Sequence, residues 1–338
     1  AKICVVSVPL REKDQDLKKL RGINTQSVDI GYWPETKAAR RRLLFGIKDT
    51  GIPEDVELIE GKDTGIYQGP QAGIKVIKEK KTGIVLMEED EIEIRYRGKK
   101  IGLRMGLIHK GEIHWWEWVK LEELWSGHVC RGILAGGFIE VDRITDEEIA
   151  QAREKGRYHG IYTHNHNWLR AEAYIWMFSN GVIKMTLRHI NNHLFDHGKD
   201  LIDVMPIVGF SGDIVHQIDE LVDGSKTQYR HNGITLDIEE AVKLVSKNHP
   251  GRIYRQEEVL VYQPYEGVEI YGDSFKQNRE DQFIVKAQDK IFPKGVARNF
   301  DIKISMGEVE PEITRLIVPD WWYAMTGDLW VDDVLPAK

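Results

Sequence analysis

Residues 170–191 read Arg-Ala-Glu-Ala-Tyr-Ile-Trp-Met-Phe-Ser-Asn-Gly-Val-Ile-Lys-Met-Thr-Leu-Arg-His-Ile-Asn, with Asn180-Gly181 at their centre. Asn-Gly accepts the positive φ values of a type I′ turn, and the flanks are rich in alternating and β-branched residues, so the stretch reads as a β-hairpin. A two-residue loop would set Phe178 opposite Ile183, Trp176 opposite Met185, Tyr174 opposite Leu187, Glu172 opposite His189 and Arg170 opposite Asn191. All five pairs would share one face, because side chains alternate along a strand. The other face would carry Ala173, Ile175 and Met177 against Arg188, Thr186 and Lys184.

Outward from this hairpin the chain continues in the same style. Residues 3–8, 27–32, 42–47, 73–77, 83–87 and 91–96 are short strand-like runs separated by Gly, Pro or charged turns. Beyond the hairpin, residues 254–265 and 269–272 and the alternation of Phe300, Ile302 and Ile304 resume strand character. A spacing of about ten residues suits a barrel or sandwich rather than βαβ units. No dinucleotide or phosphate-binding loop occurs. Three short helices decorate this reading. Thr145 with Glu148 and Asp237 with Glu240 have capping-box spacing, the second closed by His249-Pro250-Gly251, and residues 214–222 form the third.

The chain has 338 residues, enough for two domains or one large β assembly. Its net charge of −7 gives no nucleic-acid footprint. Arg40-Arg41-Arg42 reads as a solvated strand edge. Two cysteines, Cys4 and Cys130, make neither a disulfide framework nor a metal motif. No stretch reaches membrane-spanning length, and residues 1–10 do not form a secretory apolar region, which makes the cytoplasm the default compartment.

Several phrases recur in a familiar order: Val8-Pro9-Leu10, Thr25-Gln26, Gly31-Tyr32-Trp33-Pro34 and Leu43-Leu44-Phe45. Lys294-Gly295-Val296-Ala297-Arg298 and Pro319-Asp320-Trp321-Trp322-Tyr323 follow near the other end. In this order they resemble the exo-rhamnogalacturonan lyase family. The resemblance implies an all-β fold, with a small N-terminal β-barrel over 1–100. A large galactose-mutarotase-like β-sandwich would cover 101–338. It also implies a uronate-containing carbohydrate as substrate. Its helical toroid would be a separate subunit, with a homo-oligomer as the other form of assembly.

Lyase chemistry needs a base for the proton beside the sugar carboxylate and a cation to neutralise that carboxylate. A neutral histidine suits the base, since its reference pKa lies near 6.5. His189 is the candidate base and Glu172 its orienting partner. Arg170 would bind the carboxylate, Tyr174 would protonate the leaving oxygen, and His166 is a further catalytic imidazole. Trp115, Trp116, Trp168 and Arg188 are candidates for binding substrate, because flat rings suit the C–H faces of sugars.

Seven of the twelve histidines lie between His128 and His197. His164, His166, His189 and His193 therefore form an alternative set of ligands for a divalent metal. The bland readings stand beside these: a cross-strand ion pair at Glu172, polar packing of the histidines, and core filling by the tryptophans. Three functions stay open at this point. They are a lyase-type enzyme, a non-catalytic glycan-binding module or partner subunit, and a metal-dependent sugar isomerase or epimerase.

Overall fold

A computed structural model describes residues 1–10, 14–32, 36–52, 56–80, 86–109, 112–141, 167–191, 201–202, 204–215, 220–223, 227–240, 251–256, 258–263, 291–292, 297–307, 309 and 312–317. The chain opens with strands Lys2–Pro9 (β1), Leu17–Leu20 (β2), Asn24–Tyr32 (β3), Ala39–Lys48 (β4) and Leu58–Glu60 (β5). Gln71–Lys80 (β6), Leu86–Tyr96 (β7), Lys99–His109 (β8), Glu112–Trp115 (β9) and Glu117–Trp125 (β10) follow. Next come Cys130–Val141 (β11), Asn167–Phe178 (β12), Val182–Asn191 (β13), Leu201–Ile202 (β14) and Val204–Gly212 (β15). Glu220–Asp223 (β16), Thr227–His231 (β17), Ile234–Glu240 (β18), Gly251–Gln256 (β19) and Val259–Gln263 (β20) lead to Ile291–Phe292 (β21), Ala297–Ser305 (β22) and Ile313–Ile317 (β23). The fold is all-β, and no α-helix occurs among the described residues.

Two large sheets form a sandwich. One has seven strands in the order β10-β11-β12-β13-β22-β18-β17. The other has eight, in the order β16-β19-β20-β15-β8-β7-β6, with β9 paired to β8. They share one core. Ile92, Leu103, Met105, Phe210 and Leu260 from the eight-stranded sheet meet Ile133, Ile175, Met185, Leu236 and Ile302 from the seven-stranded one. Burial of such a core is the main favourable term in the fold. Since β6 and β7 pair in the same sheet as β8, that sheet runs across residue 100 without a break.

A third sheet, β23-β1-β4-β3, gathers the N-terminal strands and takes β23 back from the far end of the chain, parallel to β1. Both of its faces are covered. Ile3, Val5, Leu43 and Phe45 pack on Trp176, Phe178 and Val182 of the seven-stranded sheet. Cys4, Val6, Val8 and Leu44 pack on Leu20 and Ile23, with Leu58 beside them. Double coverage explains why β1 is buried without a break from Ile3 to Val8 instead of alternating. It also corrects the reading of the arginine run. Strand β4 is central, so Arg41 and Arg42 are buried. Arg42 Nε donates to Asp29 Oδ1 at 2.5 Å and its Nη1 donates to the Gln15 and Leu17 carbonyls.

Two of the expected helices meet strands in their described residues, while 216–219 and 241–250 lie outside the described residues. Asp237 and Glu240 belong to β18 and residues 220–223 to β16. In β18 the period-two burial of Ile234, Leu236 and Ile238 outweighs the capping-box spacing. The helix expected after Thr145 lies outside the described residues.

The decisive hairpin joins β12 to β13 through three residues, Ser179, Asn180 and Gly181, rather than two. Gly181 takes φ +92° while Asn180 keeps a negative φ, and Gly181 N donates to Phe178 O at 2.9 Å. This is a turn closed by a left-handed glycine. The longer loop lets Ser179 N donate to Val129 O and Gly181 O accept from Met306 N. Two-residue turns with positive φ at both positions do occur elsewhere, at Arg97-Gly98 and Asn232-Gly233. The extra residue shifts the register by one. Ala171 faces His189, Glu172 faces Arg188, Ala173 faces Leu187 and Tyr174 faces Thr186.

Candidate functional site

With this register the even-numbered residues of β12 and β13 share the outer face of the seven-stranded sheet, away from the sandwich core. Near the turn that face is apolar and covered by the N-terminal sheet. Further along it becomes polar, and Glu172 is its centre. Arg170 Nη2 lies 2.5 Å from Glu172 Oε1, the Tyr174 hydroxyl donates to Oε2 at 3.3 Å, and Arg188 Nη1 stands 3.9 Å from Oε2. The Arg188 guanidinium also lies 5.9 Å from the Tyr174 ring centroid.

On the next strand Thr186 donates to Asp301 Oδ1 at 2.5 Å, extending the polar row onto β22. On the other side Glu172 is opposite Gly136 of β11. A Cβ added at Gly136 would meet only Lys120 Cβ, at 3.9 Å, so the ground beside the carboxylate is open. Burial first, and then the Glu172 charge, push the Tyr174 phenol above its ordinary value, so it acts as a hydrogen-bond donor at neutral pH.

The expected Glu172–His189 pair does not form. His189 points to the opposite side of the sheet and is fully buried. Its ring lies 5.4 Å from Trp116 and 5.5 Å from Phe300. A base in that position has no route to a substrate on the outer face. The other expected ligands, His164, His166 and His193, lie outside the described residues. No group of three or more His, Cys, Asp or Glu that could hold a metal occurs among the described residues.

The tryptophans separate. Trp116 is a core residue. Trp115 is half-buried on the outer face of the eight-stranded sheet, far from Glu172 in the layer order. Trp168 lies in β12, and its side chain is outside the described residues. Thus Arg170, Glu172, Tyr174 and Arg188 come together, whereas His189, Trp115 and Trp116 do not join them. The reading of the sequence missed Thr186 and Asp301, which needed the true register and a strand more than a hundred residues away.

No protein-family model matches the chain, and no curated protein does. Two solved structures from Enterococcus faecalis are similar to it. One is an α-mannosidase, at 9% identity and TM-score 0.39; the other is a protein of glycosyl hydrolase family 38, at 10% identity and TM-score 0.40. In both, the alignment covers 90% of this chain and 38% of the solved one, so the chain spans well under half the length of those proteins. These findings correct the resemblance to exo-rhamnogalacturonan lyases: no lyase model matches, and the two similar structures are an α-mannosidase and a glycosyl hydrolase family 38 protein. Among the phrases that carried it, Gln26 has a structural role. Its side chain accepts from Val129 N and Cys130 N and donates to Cys130 O, tying β3 to β11.

Proposed function

We propose that the protein binds carbohydrate, and that the polar outer face around Glu172 takes an acidic sugar. The observation that supports this reading is the grouping of Arg170, Arg188 and Tyr174 about one carboxylate, beside the open ground at Gly136. The two guanidiniums about Glu172 keep further N–H donors for a sugar carboxylate, and Arg suits that geometry. The Tyr174 hydroxyl, whose own proton goes to Glu172, accepts from a ring hydroxyl, and the exposed Arg170 donates to one. The Arg170 side chain is 56% exposed and so is accessible to a ligand. Proton abstraction by His189 has no part in this reading.

Titration calorimetry tests it. Galacturonate and glucuronate oligosaccharides are expected to bind, more weakly as salt rises, while neutral oligosaccharides of equal length release less heat at this face. Arg170→Ala is expected to lower uronate affinity about tenfold, the loss of one charge-assisted contact. Equal uronate binding by the unaltered chain and Arg170→Ala sinks the proposal, as does the absence of binding to any uronate.

A further inference from the structure

We infer that the outer face of the eight-stranded sheet carries a separate binding site for a neutral pyranose ring, with Trp115 as its floor and Lys75, Arg104 and Glu91 as its polar wall. It rests on its own residues and shares none with the Glu172 cluster, which lies on the opposite outer face of the sandwich.

The floor is built by glycines. Strand β8 supplies Gly102 and Gly106, and β15 supplies Gly209. A Cβ at Gly106 would meet Trp115 Cε3 at 2.6 Å, and one at Gly209 would meet Trp115 Cη2 at 2.6 Å. The indole therefore lies against the backbone of two neighbouring strands, in a space that any other residue would fill. Glycine covered by a cross-strand aromatic also stabilises a sheet, so contact with glycine alone does not make a site. What sets this ring apart is the polar group beside it.

Arg104 is buried, and its guanidinium lies 5.9 Å from the Trp115 ring centroid, while its Nε stands 3.6 Å from Glu91 Oε2. Glu91 is 2% exposed and is held by Lys75 Nζ at 2.9 Å and the Ser211 hydroxyl at 2.6 Å. Gly102 is what allows this, because a Cβ there would collide with both Ser211 Oγ and Glu91 Oε2. Four strands thus converge to hold a carboxylate and a guanidinium in fixed positions beside a flat ring. Such a buried ion pair is weak evidence for stability, because hydrophobic residues of similar volume serve as well or better. Preorganised polar groups beside an aromatic plate match a sugar, which has one C–H face for the ring and hydroxyls at its edge. The charges here already engage one another: Lys75 with Glu91 and Glu93, Arg95 with Glu93, and Arg104 with Glu91. A wall whose charges are engaged suits the hydroxyls of a neutral sugar better than a sugar carboxylate. Lys75, 47% exposed, is the group that reaches a hydroxyl first.

Saturation-transfer NMR on the full chain with methyl α-mannoside, methyl β-glucoside and methyl α-galactoside tests this. At least one of the three is expected to receive transfer at its ring C–H protons. Trp115→Ala is expected to weaken that binding about tenfold, through loss of the stacking surface. Lys75→Ala leaves the glycine floor filled and serves where Trp115→Ala does not fold; it is expected to weaken binding several-fold. A loss in either variant supports the site. The inference is overturned if none of the three glycosides shows transfer, or if both variants bind as the unaltered chain does. Uronate binding is read in a separate titration, so failure here and failure of the Glu172 reading are distinguishable.

Discussion

His189 and Glu172 lie on opposite faces of the same sheet, although the carboxylate's direct neighbour Arg188 is bonded to the imidazole's own backbone. One residue of loop length separates this arrangement from a side-by-side pair. The face that takes His189 is the core: its ring sits between Trp116 and Phe300.

His189→Ala should therefore act on stability and not on ligand binding. Deleting a fully buried ring of this size costs about 2–4 kcal/mol when the surroundings cannot collapse. Urea denaturation is expected to show that loss, with the uronate affinity of the folded variant unchanged. Loss of binding at full stability would mean that the imidazole has a role on the outer face after all.

Gly181→Ala should be costly for two reasons at once. The residue sits at φ +92°, where a Cβ is strained, and the added carbon would meet Tyr96 Cε1 at 2.5 Å. A loss of about 1–3 kcal/mol is expected. Asn180→Ala should be milder, since Asn180 keeps an ordinary φ and contributes one bond to Val182 N, 3.2 Å long. A two-residue type I′ turn would bring the two losses close together, because Asn would then also occupy a left-handed position. Thermal midpoints of the two variants decide between these loops.

The strands were legible because period-two burial is a local signal. Arg170, Glu172 and Tyr174 were legible as neighbours for the same reason, since residues two apart in one strand share a face whatever the register. The partner strand was different. Its alignment depended on loop length, and the dipeptide Asn180-Gly181 fits loops of two and of three residues. A stronger clue lay in the pattern itself: the two-residue loop would drive Lys184, Thr186 and Arg188 against Ala173, Ile175 and Met177, into the core. The observed register sets Ile183, Met185 and Leu187 there instead. Glu91, Arg104, Lys75 and Ser211 come from four strands, and no local pattern links them.

The Glu91 cluster predicts an acid limb in the stability profile. Burial works to raise this carboxyl, but the Ser211 hydroxyl, Lys75 and Arg104 together hold it below its ordinary value of 4.5. A folded-state value below the unfolded one means that the stabilisation is complete above about pH 4.5 and drains away as pH falls through the folded value. Glu57 and Glu312 are lowered too, but they are exposed, so salt screens their share. Denaturation between pH 5 and pH 3 in high salt is thus expected to show a decline that Glu91→Gln flattens. An identical slope in Glu91→Gln would remove Glu91 from the account.

Gln26 provides a test of how the N-terminal sheet is fastened to the sandwich. Its Oε1 accepts from Val129 N at 2.9 Å and Cys130 N at 2.7 Å, and its Nε2 donates to Cys130 O at 2.9 Å, all out of contact with water. Gln26→Ala leaves two buried amides and a carbonyl without that partner, for a loss of about 2–4 kcal/mol. Gly127 lies against the same side chain, so a Cβ added there would run into the Gln26 carboxamide. Gly127→Ala should therefore destabilise the unaltered chain and do much less once Gln26 is alanine. A double-mutant cycle read by denaturation is expected to give a coupling of about 1 kcal/mol or more between the two positions. Simple additivity would mean that the carboxamide does not occupy the space above Gly127, and the proposed fastening of β3 to β11 would fall with it.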